Sequence, residues 1–288
     1  MDSSLELADG RFLSYAIYGD RNGSSILLFH GIPGSRLWFE DDDPVAREAG
    51  LQLIACDRPG YGLSDPNPAR TFVDWADDVL QFAEGLGLER FRILSVSGGG
   101  PFALACAHQL GLERITGVTL VAAPSPREGD WDKGMARANR VGFLLMRWLQ
   151  HGRWLGRILL RSSASFACSQ PEAYFDRMAK ELCPSDRDIS ERPEFRRQVH
   201  RELVEAYRQG VDGLLDELIL LSRPWGFDLA QIEVPVDLWH GSDDTLAPFA
   251  MAERLHARLP RSRLHRVPGR GHFLIDEDDR WREVLSTL

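Results

Sequence analysis

Short apolar runs, each closed by a turn and followed by a stretch with helical spacing, recur through the first 123 residues. RFLSYAIY (11–18) reads as a strand, the second arm of a hairpin turning at Asp9-Gly10. SILLFH (25–30), LQLIACD (51–57), FRILSVS (91–97) and ITGVTLVAA (115–123) have the length and apolarity of buried strands. Between them, a stretch near 41–49, TFVDWADDVLQFAEGL (71–86) and GPFALACAHQL (100–110) read as helices, with Thr71 and Asp74 suited to a first turn. Parallel strands need long crossovers and lie covered on both faces, so this alternation predicts an α/β fold: a mostly parallel twisted sheet flanked by helices.

The alternation then stops. From about Ser125 to Ser222 the pattern is helical. Strands resume with VPVDLWHG (234–241), followed by a helix near 248–259, the strand SRLHRVPG (262–269) and a closing helix near 277–287. Residues 1–124 and 226–288 are therefore expected to form one core, with residues 125–225 a helical cap inserted between two core strands.

At 288 residues, 43% of them hydrophobic, the chain suits one large core with an insertion better than two independent domains. A net charge of −9 argues against a nucleic-acid partner. The opening MDSSLELADGRF is acidic and lacks an apolar centre, unlike a secretory signal. No apolar run approaches the roughly 20 residues of a membrane span. Cys56, Cys106, Cys168 and Cys183 are scattered, without C-x-x-C spacing, and read as reduced, mostly interior thiols. We expect a cytoplasmic protein, monomeric or homodimeric, acting on a small molecule. No residues cluster at metal-ligand spacing, so neither a metal nor an organic cofactor is expected.

Four loops carry chemistry. SVSGG (95–99) lies between an apolar strand and a helix of small residues. A nucleophile on such a sharp strand-to-helix turn stands above the sheet, and the turn requires small residues two places before and after it. Ser95 and Gly99 meet that requirement around Ser97, although the first position is more often glycine. Read alone, the segment also fits a flexible turn or a phosphate-binding loop at a helix N-terminus. HGIPGSR (30–36) follows an earlier strand and can hold the Ile32 N–H toward the mouth of the sheet. With the Gly98 N–H it would form the pair of fixed donors that a developing oxyanion needs. HGSDDTLAP (240–248) offers Asp243 or Asp244 as the carboxylate that orients an imidazole. GRGHFL (269–274) offers His272 in the loop after the last strand, whereas His30 and His240 stand before glycines at strand ends and read as structural.

Together, HGIPG, DRPGYGLSD (57–65), SVSGG, HGSDD-x-x-x-P and GH resemble the α/β-hydrolase superfamily, over nearly the whole chain outside the cap. The chain is similar to cap-bearing serine hydrolases such as esterases and proline iminopeptidases. The resemblance implies a triad of Ser97, Asp244 and His272, because the family's acid usually falls in G-x-x-D-x-x-x-P, here Gly241, Asp244 and Pro248. It also implies Ile32 and Gly98 as backbone oxyanion donors, with Arg58 and Asp65 structural. A serine nucleophile attacks carbonyls, so an ester, lactone or related acyl bond is the expected substrate. The same fold hosts other chemistry, so a lyase or cyclase, or a receptor with slow turnover, stands as the alternative.

Between Lys133 and Pro171 the chain has no acidic residue but carries Arg137, Arg140, Arg147, Arg153, Arg157 and Arg161. Phe143, Leu144, Leu145, Trp148, Leu149, Trp154 and Leu155 are interleaved with them. The arginines are expected to form a solvated face paired to cap acids such as Glu172, Asp176 or Glu202, and the apolar residues to line the pocket or the cap core. The other reading is a lid whose arginines engage an anionic substrate or a membrane surface.

Overall fold

The computed structural model describes all residues except 1, 69, 130–131 and 150–151. In chain order its elements are β1 (Asp2–Glu6), β2 (Phe12–Gly19), β3 (Ser24–Phe29), α1 (Asp43–Glu48), β4 (Leu51–Cys56), α2 (Phe72–Gly85), β5 (Phe91–Val96), α3 (Gly100–Arg114) and β6 (Ile115–Val121). A helical block follows: α4 (Arg137–Leu149), α5 (Arg153–Ser169), α6 (Pro171–Ala179), α7 (Pro184–Ser190), α8 (Pro193–Ala206) and α9 (Asp212–Leu221). The chain then returns to the sheet with β7 (Val236–Gly241), α10 (Ala250–Arg258), β8 (Ser262–Val267) and α11 (Asp278–Leu285).

The strands form one eight-stranded sheet in the order β1-β2-β4-β3-β5-β6-β7-β8. The β1–β2 hairpin and the β2–β4 pair are antiparallel, and the pairs from β4–β3 to β7–β8 are parallel. Alternation along each strand splits the core in two. Leu27, Phe29, Ile54, Cys56 and Ile93 face the layer of α2, α3 and α10, while Ile26, Leu28, Leu53, Ala55 and Leu94 face α1 and α11. Phe29, Phe72, Trp75 and Phe102 meet edge to face at the centre of the first layer. Thr71 and Asp74 close a reciprocal capping box on α2, an arrangement in which the cap residue alone contributes about 1 kcal/mol. The helix expected near 41–49 begins earlier, as a 3-10 turn over Arg36–Asp42. Cys56, Cys106 and Cys183 are buried and Cys168 is half-buried.

The helical block is tied to the core by buried ion pairs. Glu217 on α9 receives Arg58 through two bonds of 2.7 and 2.9 Å and Arg70 at 2.8 Å, and all three side chains are buried. Glu205 on α8 takes Arg36, which also holds the fully buried Asp57 at 2.7 Å. Arginines of this block pair with acids of the same block, as expected, but with partners other than those named. Arg153 and Arg157 pair with Asp216 and Asp212 on α9, because α5 packs against that helix, and Arg140 pairs with Asp132. Glu172 and Asp176 are bound by Arg196 instead, and Glu202 accepts a backbone N–H. Of the residues expected to line the pocket or the cap core, Leu144, Leu145, Leu155 and Trp154 are exposed, Trp154 at 66%, and so are not cap core. The fully buried residues of α5 are Gly156, Ala164 and Ala167, and Leu160 packs beside them against Leu215 and Ile219. The side chains of Phe143, Arg147, Trp148 and Leu149 lie outside the described residues.

Candidate active site

The parallel strands β3, β5, β7 and β8 end at the same edge of the sheet, and in folds of this kind the crevice beyond that edge receives the ligand. All five singled-out residues follow these strands: Ile32 after β3, Ser97 and Gly98 after β5, Asp244 after β7 and His272 after β8.

Ser97 adopts φ of 50°, and only Ala122 shares a positive φ among the described non-glycine residues. Such a conformation costs of order 1–3 kcal/mol and lifts the side chain off the sheet at the start of α3. Close packing fixes the neighbouring residue types. A Cβ on Gly98 would stand 2.5 Å from Ile32 Cδ1, and one on Gly99 would stand 2.8 Å from the carbonyl oxygens of Phe29 and His30. Ser95 fits the turn fully buried, with no partner for its hydroxyl among the described residues. Gly31 passes directly beside Ser97, where a Cβ would meet Ser97 Cβ at 3.6 Å. Among the described residues no hydrogen bond takes up the N–H of Ile32.

The structure brings Asp244 and His272 together. Asp244 is buried in the turn after β7, where Oδ1 accepts the N–H groups of Leu246 and Ala247 at 2.8 and 2.9 Å. Its Oδ2 accepts from His272 Nδ1 at 2.8 Å. Asp243, by contrast, is exposed and bonds to Ser242 Oγ. Because Nδ1 donates to the carboxylate, Nε2 is the nitrogen of neutral His272 left to accept a proton. Burial pulls the His272 pKa down, but the charge and hydrogen bond of Asp244 outweigh it and raise the imidazole above its ordinary value. Burial likewise pushes Asp244 up, yet His272 and His240 together hold its carboxyl well below the usual carboxylate range. No hydrogen bond joins Ser97 to His272 among the described residues, as is common when no substrate is bound.

Further residues shape the site: His240, Arg58 and His30, read above as structural, and Asp186, which nothing in the sequence marked. His240 donates from Nε2 to the Ala247 carbonyl at 2.7 Å and lies 3.2 Å from Asp244 Oδ2, so it abuts the acid as well as supporting the turn. Arg58 reaches the carbonyl oxygens of His30 and Gly31 at 2.5 and 2.9 Å, fixing the strand end that leads into Ile32. His30 accepts the Arg58 N–H at 3.1 Å and donates to the Gly31 carbonyl at 2.8 Å; burial depresses its pKa and keeps it neutral. Asp186 of α7 accepts the backbone N–H groups of His272 and Phe273 at 2.7 and 3.1 Å. Among the described residues no group of histidine, cysteine and carboxylate side chains could hold a metal ion, and no helix is long and apolar enough to cross a membrane.

Over residues 25–279 the sequence matches the family described as alpha/beta hydrolase fold. It is 28% identical over 280 residues to a proline iminopeptidase of Lactobacillus delbrueckii subsp. lactis, an alignment covering 91% of this chain and 88% of that protein. It is 26% identical over 263 residues to a non-heme chloroperoxidase of Streptomyces lividans, covering 89% and 87% respectively. Among solved structures, an esterase (EaEST) from Exiguobacterium antarcticum superposes with a TM-score of 0.75 at 21% identity, covering 100% of this chain and 98% of that one.

Proposed function

The chain is an enzyme of the alpha/beta hydrolase fold family, and on that premise we propose that it is a serine hydrolase cleaving an ester, lactone or related acyl bond of a small, apolar substrate. The observation that carries this reading is the pairing of buried Asp244 with His272 Nδ1, which commits Nε2 to proton transfer, at the same sheet edge as the left-handed Ser97. In this mechanism His272 takes the Ser97 proton as Oγ attacks the substrate carbonyl, and Asp244 stabilises the imidazolium. The Ile32 and Gly98 amides hold the oxyanion. His272 then protonates the leaving group, and water activated by the same imidazole releases the acyl group from Ser97.

An acyl substrate without a free amine is favoured by the state of the buried acids in the helical block, residues 125–225, which we propose as the cap. Glu205 is taken by Arg36, Asp216 by Arg153, and Glu217 by Arg58 and Arg70. Asp186 is taken by the N–H groups of His272 and Phe273, and Glu202 is pushed well above the carboxylate range by burial, so none of the five offers an unpaired carboxylate to a substrate ammonium group.

The test is turnover of p-nitrophenyl esters of increasing chain length, with proline p-nitroanilide in parallel, by the intact protein and Ser97→Ala. Ester turnover that vanishes in Ser97→Ala is expected, and the chain-length preference sizes the pocket. Equal turnover by both proteins would remove Ser97 as nucleophile, and preference for the anilide would move the substrate to the peptide class.

A further inference from the structure

The loop that carries His272 is held from outside the core. Asp186 lies on α7, inside the helical block, yet its side chain is fully buried against the residues after β8. Its Oδ2 accepts the N–H of His272 at 2.7 Å and its Oδ1 accepts the N–H of Phe273 at 3.1 Å. The fit is close: a Cβ on Gly271 would stand 2.2 Å from Asp186 Oδ2 and 2.3 Å from its Cγ, so glycine before His272 is what admits the carboxylate. Packing around it is aromatic, since Phe273 and Phe195 of α8 lie 4.9 Å apart and share a cluster with Phe175 and Ile189.

We propose that Asp186 is a positioning residue for His272, so that the helical block sets the orientation of the general base through the base's own backbone. The proposal rests on the triad reading above. Two N–H groups bound by one rigid carboxylate fix the peptide plane from which the imidazole projects, and with it the approach of Nδ1 to Asp244. Any displacement of α7 is then passed to the imidazole without touching Ser97 or the oxyanion donors. The charged and titratable groups around His272 are Asp244 from the turn after β7, with His240 behind it, Asp186 from α7, and Asp276 from its own loop, whose carbonyl accepts from Arg192 at 3.2 Å. Asp186 therefore also adds negative charge beside the imidazolium.

The experiment compares the intact protein with Asp186→Asn, Gly271→Ala, the double variant, and Asp188→Asn as an exposed control on the same helix. Measured are kcat and KM for a p-nitrophenyl ester across pH, and the low-field proton resonance of the Nδ1–H between His272 and Asp244. Asparagine keeps one acceptor and sets an N–H against an N–H. Its expected effect is a fall in kcat of about 10- to 100-fold with KM little changed, the range that a small misplacement of a catalytic group costs. The acid limb of kcat/KM moves to lower pH, because one of the carboxylates favouring the imidazolium is gone, and the resonance shifts or broadens. Gly271→Ala reproduces this, the double variant is no worse than the singles, and Asp188→Asn behaves as the intact protein. A merely structural role would lower Tm while leaving the pH profile and the resonance of Asp186→Asn unchanged, and that result overturns the proposal. Ser97→Ala in the same series separates the two readings: if it keeps full turnover the triad itself fails, and if it is inactive while Asp186→Asn is normal only the positioning role fails.

Discussion

Removing Glu217 isolates two buried guanidinium groups at once. Arg58 is fully buried and Arg70 nearly so, and both bond to the Glu217 carboxylate at 2.7–2.9 Å. Breaking a buried pair by deleting one partner costs about 3–5 kcal/mol, because the charge left behind is uncompensated. Unfolding entropy of about 2.1 cal/mol/K per residue gives about 0.6 kcal/mol/K for a chain of this length, so Glu217→Ala should lower Tm by about 5–8 °C. Activity should fall as well, since Arg58 is the group holding the His30 and Gly31 carbonyls ahead of Ile32. Glu217→Gln, which keeps the shape and one acceptor, should lie between the two. Calorimetry at fixed pH together with ester turnover reads both effects. A Glu217→Ala melting point within about 1 °C of the intact protein would show that the arginines are solvated or re-paired, and the reasoning from a dry, charge-balanced junction would be wrong.

Asp244→Asn, which keeps the side-chain shape but favours the wrong imidazole tautomer, should reduce kcat by about 10⁴-fold. The intact protein's kcat/KM should rise through an acid limb centred above pH 6.5, because His272 holds its proton more tightly than a free imidazole and must lose it to act as base. A limb centred below that value would exclude the Asp244–His272 coupling. Asp276 offers a stability test. Burial, then the nearby Asp186, raise its carboxyl from 3.8 to about 7, and its Oδ2 has no partner among the described residues. A folded-state pKa above the unfolded one means stability is full below pH 3.8 and is lost as pH rises toward 7. Asp276→Asn should therefore gain in Tm relative to the intact protein across that window and by a constant amount above it. A difference independent of pH would refute the assignment.

The sheet was legible because its signals are local. The apolar run 51–57 becomes β4 over Leu51–Cys56, and Thr71 and Asp74 cap α2 where their spacing placed them. The strand-to-helix turn at Ser97 was legible for the same reason, since it asks only for small residues two places before and after, here Ser95 and Gly99. What escaped the sequence is pairing across distance. Asp186 meets residues 86 and 87 positions away, and Arg58 meets Glu217 across 159 positions, with no local pattern to mark either. Within α5 the sequence likewise did not separate Trp154, which is exposed, from Gly156, Ala164 and Ala167, which are buried, because that depends on which face meets α9.

The Arg58–Glu217 pair has a consequence for synthesis on the ribosome. The first half of the sheet emerges with Arg58 and Arg70 destined for its interior, while their counter-charge is encoded 159 and 147 positions later. At elongation rates of about 5–20 residues per second, the nascent chain carries these arginines without Glu217 for about 8–30 s. During that interval the nascent strands cannot close around the two guanidinium groups as they do in the finished protein, so completion of the first-made part of the sheet waits for α9.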